Sequence, residues 1–85
     1  MTTLGRVMQT IRRAAGLAPD EPLSADTGLV GSGLSLDSVA VLELTVALEK
    51  EFGIKLGGAE LAQPDVLSTV GTLTELVNSI VAGGR

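Results

Sequence analysis

The sequence contains 85 residues with a net charge of −4, no cysteine, no histidine and one aromatic residue, Phe52. These absences exclude disulfides, thiolate metal sites and a histidine base, and one ring cannot form a stacking platform for single-stranded nucleic acid. The length suits one domain with an aliphatic core, because the chain has 14 Leu, 9 Val and 3 Ile. The inventory therefore favours a carrier or substrate of other enzymes over a catalyst.

The charges are unevenly distributed along the chain. Residues 1–16 carry three arginines and no acid, which gives +3, whereas residues 17–85 have a net charge of −7. An acidic body favours basic protein partners and repels nucleic acid phosphates, and arginines on one short helix are typical of a solvated face. Because no apolar run approaches a membrane span and no signal peptide is visible, we expect a soluble cytoplasmic monomer that does not bind membranes.

The first predicted helix spans about residues 3–15. Thr3 is expected to be its N-cap, and the apolar residues that follow recur at helical spacing. Gly16 fits the position just past the end of this helix, and Pro19 prevents its continuation. The apolar face is formed by Leu4, Val7, Met8, Ile11 and Ala15.

A long loop, residues 16–37, follows the first helix. Its glycines, prolines, serines and aspartates oppose regular structure, and a connection of this length in a small domain is either disordered or functional. We expect an ordered loop with a short helical turn near 27–31, because recurring leucines can anchor an irregular loop against the core. These leucines are Leu17, Leu23, Leu29, Leu34 and Leu36.

The second predicted helix spans about residues 38–52. Asp37 can cap its first turn, and Gly53 marks its end. Its apolar residues form one stripe with Leu42 beside it, as expected for a helix that packs one face on a core. The stripe consists of Val41, Leu44, Thr45, Leu48 and Phe52.

A second apolar strip lies among the charged positions of this helix. Glu43, Glu49 and Lys50 fall outside the core-facing stripe, and Val39 and Val46 flank Glu43 at helical spacing. An apolar strip can therefore lie between charged side chains. On the residues alone, Glu43 and Glu49 are interpreted as part of a plain solvated face.

The C-terminal third predicts one short and one long helix. Pro64 can be the first residue of a short helix at about 64–68, and Thr69 is a suitable N-cap for a final helix at about 70–82. Three long helices, one short helix and the long loop between the first two predict an all-α fold, a small four-helix bundle in a single domain, 1–85.

Ser38 stands at the start of the second helix. A helix N-terminus favours anions, because its first N–H groups are unpaired and lie at the positive end of the helix dipole. An Asp-Ser pair is ordinarily only a polar helix start, but here a long loop leads into it and the apolar Val39 follows. Ser38 cannot act as a hydrolase nucleophile without a histidine base. It is therefore interpreted as a modified residue, not a catalytic one.

The segment "LSLDSVAVLELTVALEKEFGI", residues 34–54, resembles the acyl carrier protein family and the related peptidyl carrier domains. In that family an Asp-Ser-Leu motif opens the second helix, and its serine carries 4′-phosphopantetheine; here the triplet is Asp37-Ser38-Val39. "ADTGL" at 25–29 resembles the segment before that motif, and "STVGTLTELV" at 68–77 resembles the start of the last helix. The resemblance covers nearly the whole chain.

The resemblance implies a non-catalytic carrier. A separate phosphopantetheinyl transferase would modify Ser38 with coenzyme A and magnesium, and the terminal thiol of the arm would hold an acyl or aminoacyl thioester. Loading enzymes and downstream synthases or transferases would be the other partners, which accounts for the missing cysteine and histidine. The resemblance also implies that the partner-recognition surface includes Val39, Glu43, Val46 and Glu49.

Departures at four positions favour a specialised pathway over fatty acid synthesis. Those carriers usually have acids where this chain has Ala40 and Lys50, Leu where it has Val39, and many carriers have Gly where it has Ser35. We therefore expect a discrete carrier for polyketide, nonribosomal peptide or other specialised biosynthesis. A fatty acid synthesis carrier is the alternative.

The amino-acid sequence leaves two further functions open. A carrier-like module could dock a partner without any cofactor, in which case Ser38 could be replaced by alanine without loss of function. A small metal-dependent enzyme would need carboxylates such as Asp20, Glu21 and Asp26, but their spacing is that of a solvated loop and not of a calcium-binding loop. We therefore expect no metal site.

Overall fold

The computed structural model describes residues 2–18, 20–31, 33–56 and 66–83. These residues form three helices, which are α1, Thr3–Ala15, α2, Ser38–Phe52, and α3, Val70–Gly83. An isolated antiparallel bridge joins Gly28 to Thr69. Within the described ranges, no helix is long and apolar enough to cross a membrane. The fold is all-α.

The prediction of a four-helix bundle is wrong, because the described residues form three helices. Residues 66–68, the described part of the predicted short helix, form turns, and residues 57–65 lie outside the described ranges. The Val66 carbonyl accepts a hydrogen bond from the Thr72 hydroxyl, and those of Leu67 and Ser68 accept from backbone N–H groups of the long loop. These bonds tie residues 66–68 to the long loop and to the first turn of α3.

Side-chain caps fix the starts of α1 and α3. The N-cap of α1 is Thr2, one residue earlier than predicted, because its hydroxyl accepts a hydrogen bond from the Gly5 N–H at 3.0 Å. At the start of α3, the Thr72 N–H donates to the Thr69 hydroxyl oxygen at 3.2 Å, and the Thr69 N–H donates to the Thr72 hydroxyl oxygen at 3.1 Å. These bonds satisfy N–H groups that have no partner within the helix.

The core is aliphatic and draws on all three helices and the long loop. α1 packs against both α2 and α3. Burial of Leu and Val side chains is the main favourable contribution to folding in a domain of this size. The fully or nearly fully buried apolar residues are Val7, Ile11, Leu29, Leu44, Leu48, Leu56, Val66, Val70, Leu73 and Val77.

Two of the three arginines of α1 make contacts that a plain solvated face does not include, whereas the Arg13 side chain is 69% exposed. Arg6 lies over the Phe52 ring at 4.3 Å from its centroid and donates to both the side chain and the backbone carbonyl of Glu51, at 3.1 and 2.8 Å. Arg12 donates to the Glu21 backbone carbonyl at 3.0 Å. These contacts connect α1 to the end of α2 and to the loop. A guanidinium group suits this role, because it is planar and can donate several hydrogen bonds at once.

The loop pairs with the start of α3 instead of forming the helical turn predicted near 27–31. Its backbone is extended around Gly28, and four backbone hydrogen bonds, which we call the loop clamp, join residues 25–30 to residues 67–71. These bonds run from Leu29 N–H to Ser68 O (3.1 Å), Val30 N–H to Leu67 O (3.2 Å), Val70 N–H to Thr27 O (2.9 Å) and Gly71 N–H to Ala25 O (2.8 Å).

Candidate functional site

Ser38 is the first residue of α2, and its side chain is exposed. Asp37 caps the helix, because its Oδ1 accepts a hydrogen bond from the Ala40 N–H at 2.8 Å and its backbone carbonyl accepts from Val41 N–H at 2.9 Å. Within the described ranges, no group forms a hydrogen bond with the Ser38 hydroxyl. The hydroxyl is therefore open to another molecule, while the backbone on both sides of it is fixed.

The start of α2 suits a phosphate ester on this serine. The cap uses the Ala40 N–H, whereas the N–H groups of Ser38 and Val39 find no acceptor among the described residues. Unpaired N–H groups and the positive end of the helix dipole stabilise a phosphate at this position. The donors present therefore fit a phosphodiester-linked group on Ser38.

The backbone just before the motif takes an unusual conformation at Ser35. Its φ is +51°, which makes Ser35 a non-glycine residue in the left-handed region. The resemblance places glycine here in many carriers, and glycine adopts this conformation without the steric cost that a Cβ brings. The left-handed turn gives a physical reason for that preference.

One face of α2 is apolar and exposed. Val39 is 62% exposed, Leu42 is 64% exposed and Val46 is 44% exposed, and the exposed Glu43 lies among them. Leu42 was expected beside the core stripe, but its spacing of three residues from Val39 and four from Val46 places it on this outer face. That spacing is the signal that could have identified it. We call Val39, Leu42, Glu43 and Val46 the outer face of α2.

Glu49, the fourth predicted recognition residue, is not part of this open face. It is half-buried, and its Oε2 accepts a hydrogen bond from the Leu56 N–H at 2.7 Å. Leu56 is a core residue, so this bond fixes the chain that leaves α2. A carboxylate that satisfies a backbone donor is less available to an external partner.

The acids considered for a metal site do not form a cluster. Glu21 interacts with Arg12 through its backbone carbonyl and not its carboxylate. Asp26 lies in a turn in which its N–H donates to the Ser24 hydroxyl oxygen at 3.3 Å. In the part of the chain that the structure describes, no group of three or more acidic, histidine or cysteine side chains could hold a metal ion.

Two comparisons with known proteins find similar sequences. The family described as a phosphopantetheine attachment site matches residues 5–79, a range that extends from α1 into α3 and includes Asp37 and Ser38. A curated relative, the tetracenomycin polyketide synthase acyl carrier protein of Streptomyces glaucescens, is 34% identical over 62 residues. That alignment covers 72% of this chain and 75% of the relative.

Proposed function

This chain belongs to the acyl carrier protein family, whose cofactor is 4′-phosphopantetheine, and we propose that the cofactor is attached to Ser38. The family matches the one predicted from the sequence. The observation that supports the assignment most directly is the exposed hydroxyl of Ser38 at the capped N-terminus of α2, which has no hydrogen-bond partner among the described residues. The unpaired N–H groups beside it support the same residue, because they can stabilise the phosphate after attachment.

The proposed modification requires a phosphopantetheinyl transferase, coenzyme A and magnesium. The Ser38 Oγ forms a bond to phosphorus as the phosphoanhydride bond of coenzyme A breaks, and the adenosine bisphosphate half leaves. The hydroxyl proton passes to a base of the transferase, since the chain has no histidine. When bound, the group supplies a terminal thiol that holds an acyl or aminoacyl chain as a thioester.

The contribution of this chain is positioning and not catalysis. Asp37 holds the first turn of α2 through the Ala40 N–H, which keeps the Ser38 hydroxyl at the surface. Partner enzymes then supply the reactive groups for loading and transfer, and the chain presents the arm to each of them in turn. We therefore propose a non-catalytic carrier.

We propose that the carrier acts in specialised biosynthesis, and that polyketide biosynthesis is the pathway the similarity favours. The support is the similarity to the tetracenomycin polyketide synthase acyl carrier protein. The lysine at position 50 and the alanine at position 40, where fatty acid carriers usually have acids, agree with this choice. Nonribosomal peptide synthesis and fatty acid synthesis are the alternatives, and the acyl groups that partner enzymes transfer to the modified chain would distinguish them.

The carrier assignment is tested by the intact mass of the chain before and after incubation with a broad-specificity transferase, coenzyme A and magnesium. A gain of one phosphopantetheine group is expected. A chain that gains no mass, and is also unmodified as isolated, would instead support a docking module without a cofactor. A carrier should then accept an acyl group on the new thiol, which a second mass measurement detects.

The outer face of α2 is the proposed partner surface. It combines three exposed apolar side chains with one exposed acid, and it begins next to Ser38. Exposed apolar side chains grouped in this way are typical of protein interaction sites. Glu49 would contribute by holding the end of α2 through its bond to Leu56.

Leu42→Asp is expected to lower kcat/KM of the transferase about tenfold, because it removes an apolar contact and places a carboxylate in the proposed interface. Val81→Asp is the matched control, since Val81 is an exposed apolar residue of α3 outside this face. The kcat/KM measured with Val81→Asp should stay close to that of the original sequence. If both variants are folded and have equal kcat/KM values, Leu42 does not belong to the partner surface.

A further inference from the structure

We propose that Gly33 is a positioning residue for the modification of Ser38, through its close backbone contact with Gly28. This inference rests on the proposed attachment at Ser38. Gly33 has a φ of +61°, and a Cβ built on it would lie 2.5 Å from the Gly28 oxygen, 2.7 Å from its nitrogen and 2.9 Å from its Cα. All three are backbone atoms, so the neighbour cannot yield by turning a side chain. Only a glycine fits without moving the loop.

The contact between Gly33 and Gly28 lies in the loop just before the Asp37-Ser38 motif, where two backbone hydrogen bonds hold the chain. The Leu34 N–H donates to the Gly28 carbonyl at 2.9 Å, and the Leu36 N–H donates to the Leu29 carbonyl at 2.7 Å. Two residues after Leu36 the chain reaches Ser38. Any displacement of Gly33 away from Gly28 would therefore be transmitted along a short, hydrogen-bonded path to the start of α2.

The other side of this segment is held by the rest of the molecule. Leu29 is fully buried, and the loop clamp pairs residues 25–30 with residues 67–71 at the start of α3. The entry to α2 is thereby fixed relative to a helix more than thirty positions later in the sequence. Residues 28–31 and 33–36 are thus hydrogen-bonded both to the start of α3 and to one another, directly before the modification site.

The Ser38 side chain has no hydrogen bond of its own to a described residue that would fix its position. Its direction follows from the helix after it and from the loop before it. A transferase must place the Ser38 oxygen in line with phosphorus, and small errors in such alignment are costly to the rate. If α2 alone set this geometry, a change at Gly33 would alter only the stability of the fold.

The test compares Gly33→Ala with Gly31→Ala. Both glycines have positive φ, at +61° and +85°, but a Cβ at position 31 would meet nothing within 4 Å. Modification by a broad-specificity transferase is measured well below the Tm of each variant, and rates are corrected for the folded fraction. Gly33→Ala should lower kcat/KM roughly tenfold, mainly through a lower kcat. The kcat/KM of Gly31→Ala should stay close to that of the original sequence.

Gly71→Ala provides a variant that keeps the fold if Gly33→Ala does not. A Cβ at Gly71 would lie 3.0 Å from the Ala25 oxygen and 3.3 Å from its Cβ, so it crowds the loop clamp while alanine favours the helix. A several-fold loss of kcat, with a Tm close to the original, is expected. If every folded variant keeps its original kcat and KM, the positioning role is refuted. If the original sequence itself is not modified, the proposed function fails instead.

Discussion

Ser38→Ala is expected to abolish the gain of phosphopantetheine completely. The substitution removes the only oxygen that Ser38 offers to phosphorus, and the cap formed by Asp37 and the Ala40 N–H does not depend on it. Because the side chain is exposed and forms no hydrogen bond with a described residue, the free energy of unfolding should change by less than about 0.5 kcal/mol. Intact mass and thermal unfolding of the same sample measure both quantities.

Ser35→Ala is the matched control for this loss. Ser35 is also exposed and lies three residues before Ser38, but it belongs to the loop and not to the helix start. Its variant should still gain one phosphopantetheine group. Modification of Ser38→Ala, or loss of modification in a folded Ser35→Ala, would show that the attachment residue has been assigned wrongly.

Leu29→Ala is expected to destabilise the fold by about 2–5 kcal/mol, because it leaves a cavity at a fully buried leucine. The total stability of a domain of this length is about 4–13 kcal/mol, so the loss is a large fraction of it. The Tm should fall by roughly 10 °C or more. The effect would be as large as that of a core residue in a helix, although Leu29 lies in a loop.

Val30→Ala separates burial from position in the loop. Val30 follows Leu29 directly, and its N–H also takes part in the loop clamp, but its side chain is 44% exposed. The backbone bond survives both substitutions, so the difference between the variants reports side-chain burial. We expect Val30→Ala to cost less than about 1 kcal/mol. Similar Tm values for both variants would contradict an ordered loop anchored by Leu29.

Sequence patterns were informative where the relevant contacts repeat along one helix. Helical spacing placed Val7 and Ile11 in α1, and Leu44 and Leu48 in α2, on core-facing stripes, and all four are buried. The Asp37-Ser38 motif and its distance from the end of the helix identified the family, which the comparisons confirm. Both inferences use local information, namely periodicity and a short motif.

The features that the sequence did not predict depend on contacts between distant segments. The loop clamp, whose partners are about forty residues apart, occupies the place of the predicted turn near 27–31 and includes residues 67 and 68 of the predicted short helix. No periodic pattern encodes such a pairing. The close contact of Gly33 with Gly28 could not be predicted either. Its only sign in the sequence is a glycine, and glycines are common in loops.

Attachment at Ser38 is tested most directly by the position of the phosphopantetheine group within the modified chain. The chain is incubated with transferase, coenzyme A and magnesium and digested with trypsin, and peptide 14–50 is fragmented in a mass spectrometer. This peptide contains four serines, Ser24, Ser32, Ser35 and Ser38. We expect the added mass on Ser38 alone. Added mass on any of the other three serines, or on none of them, would contradict it.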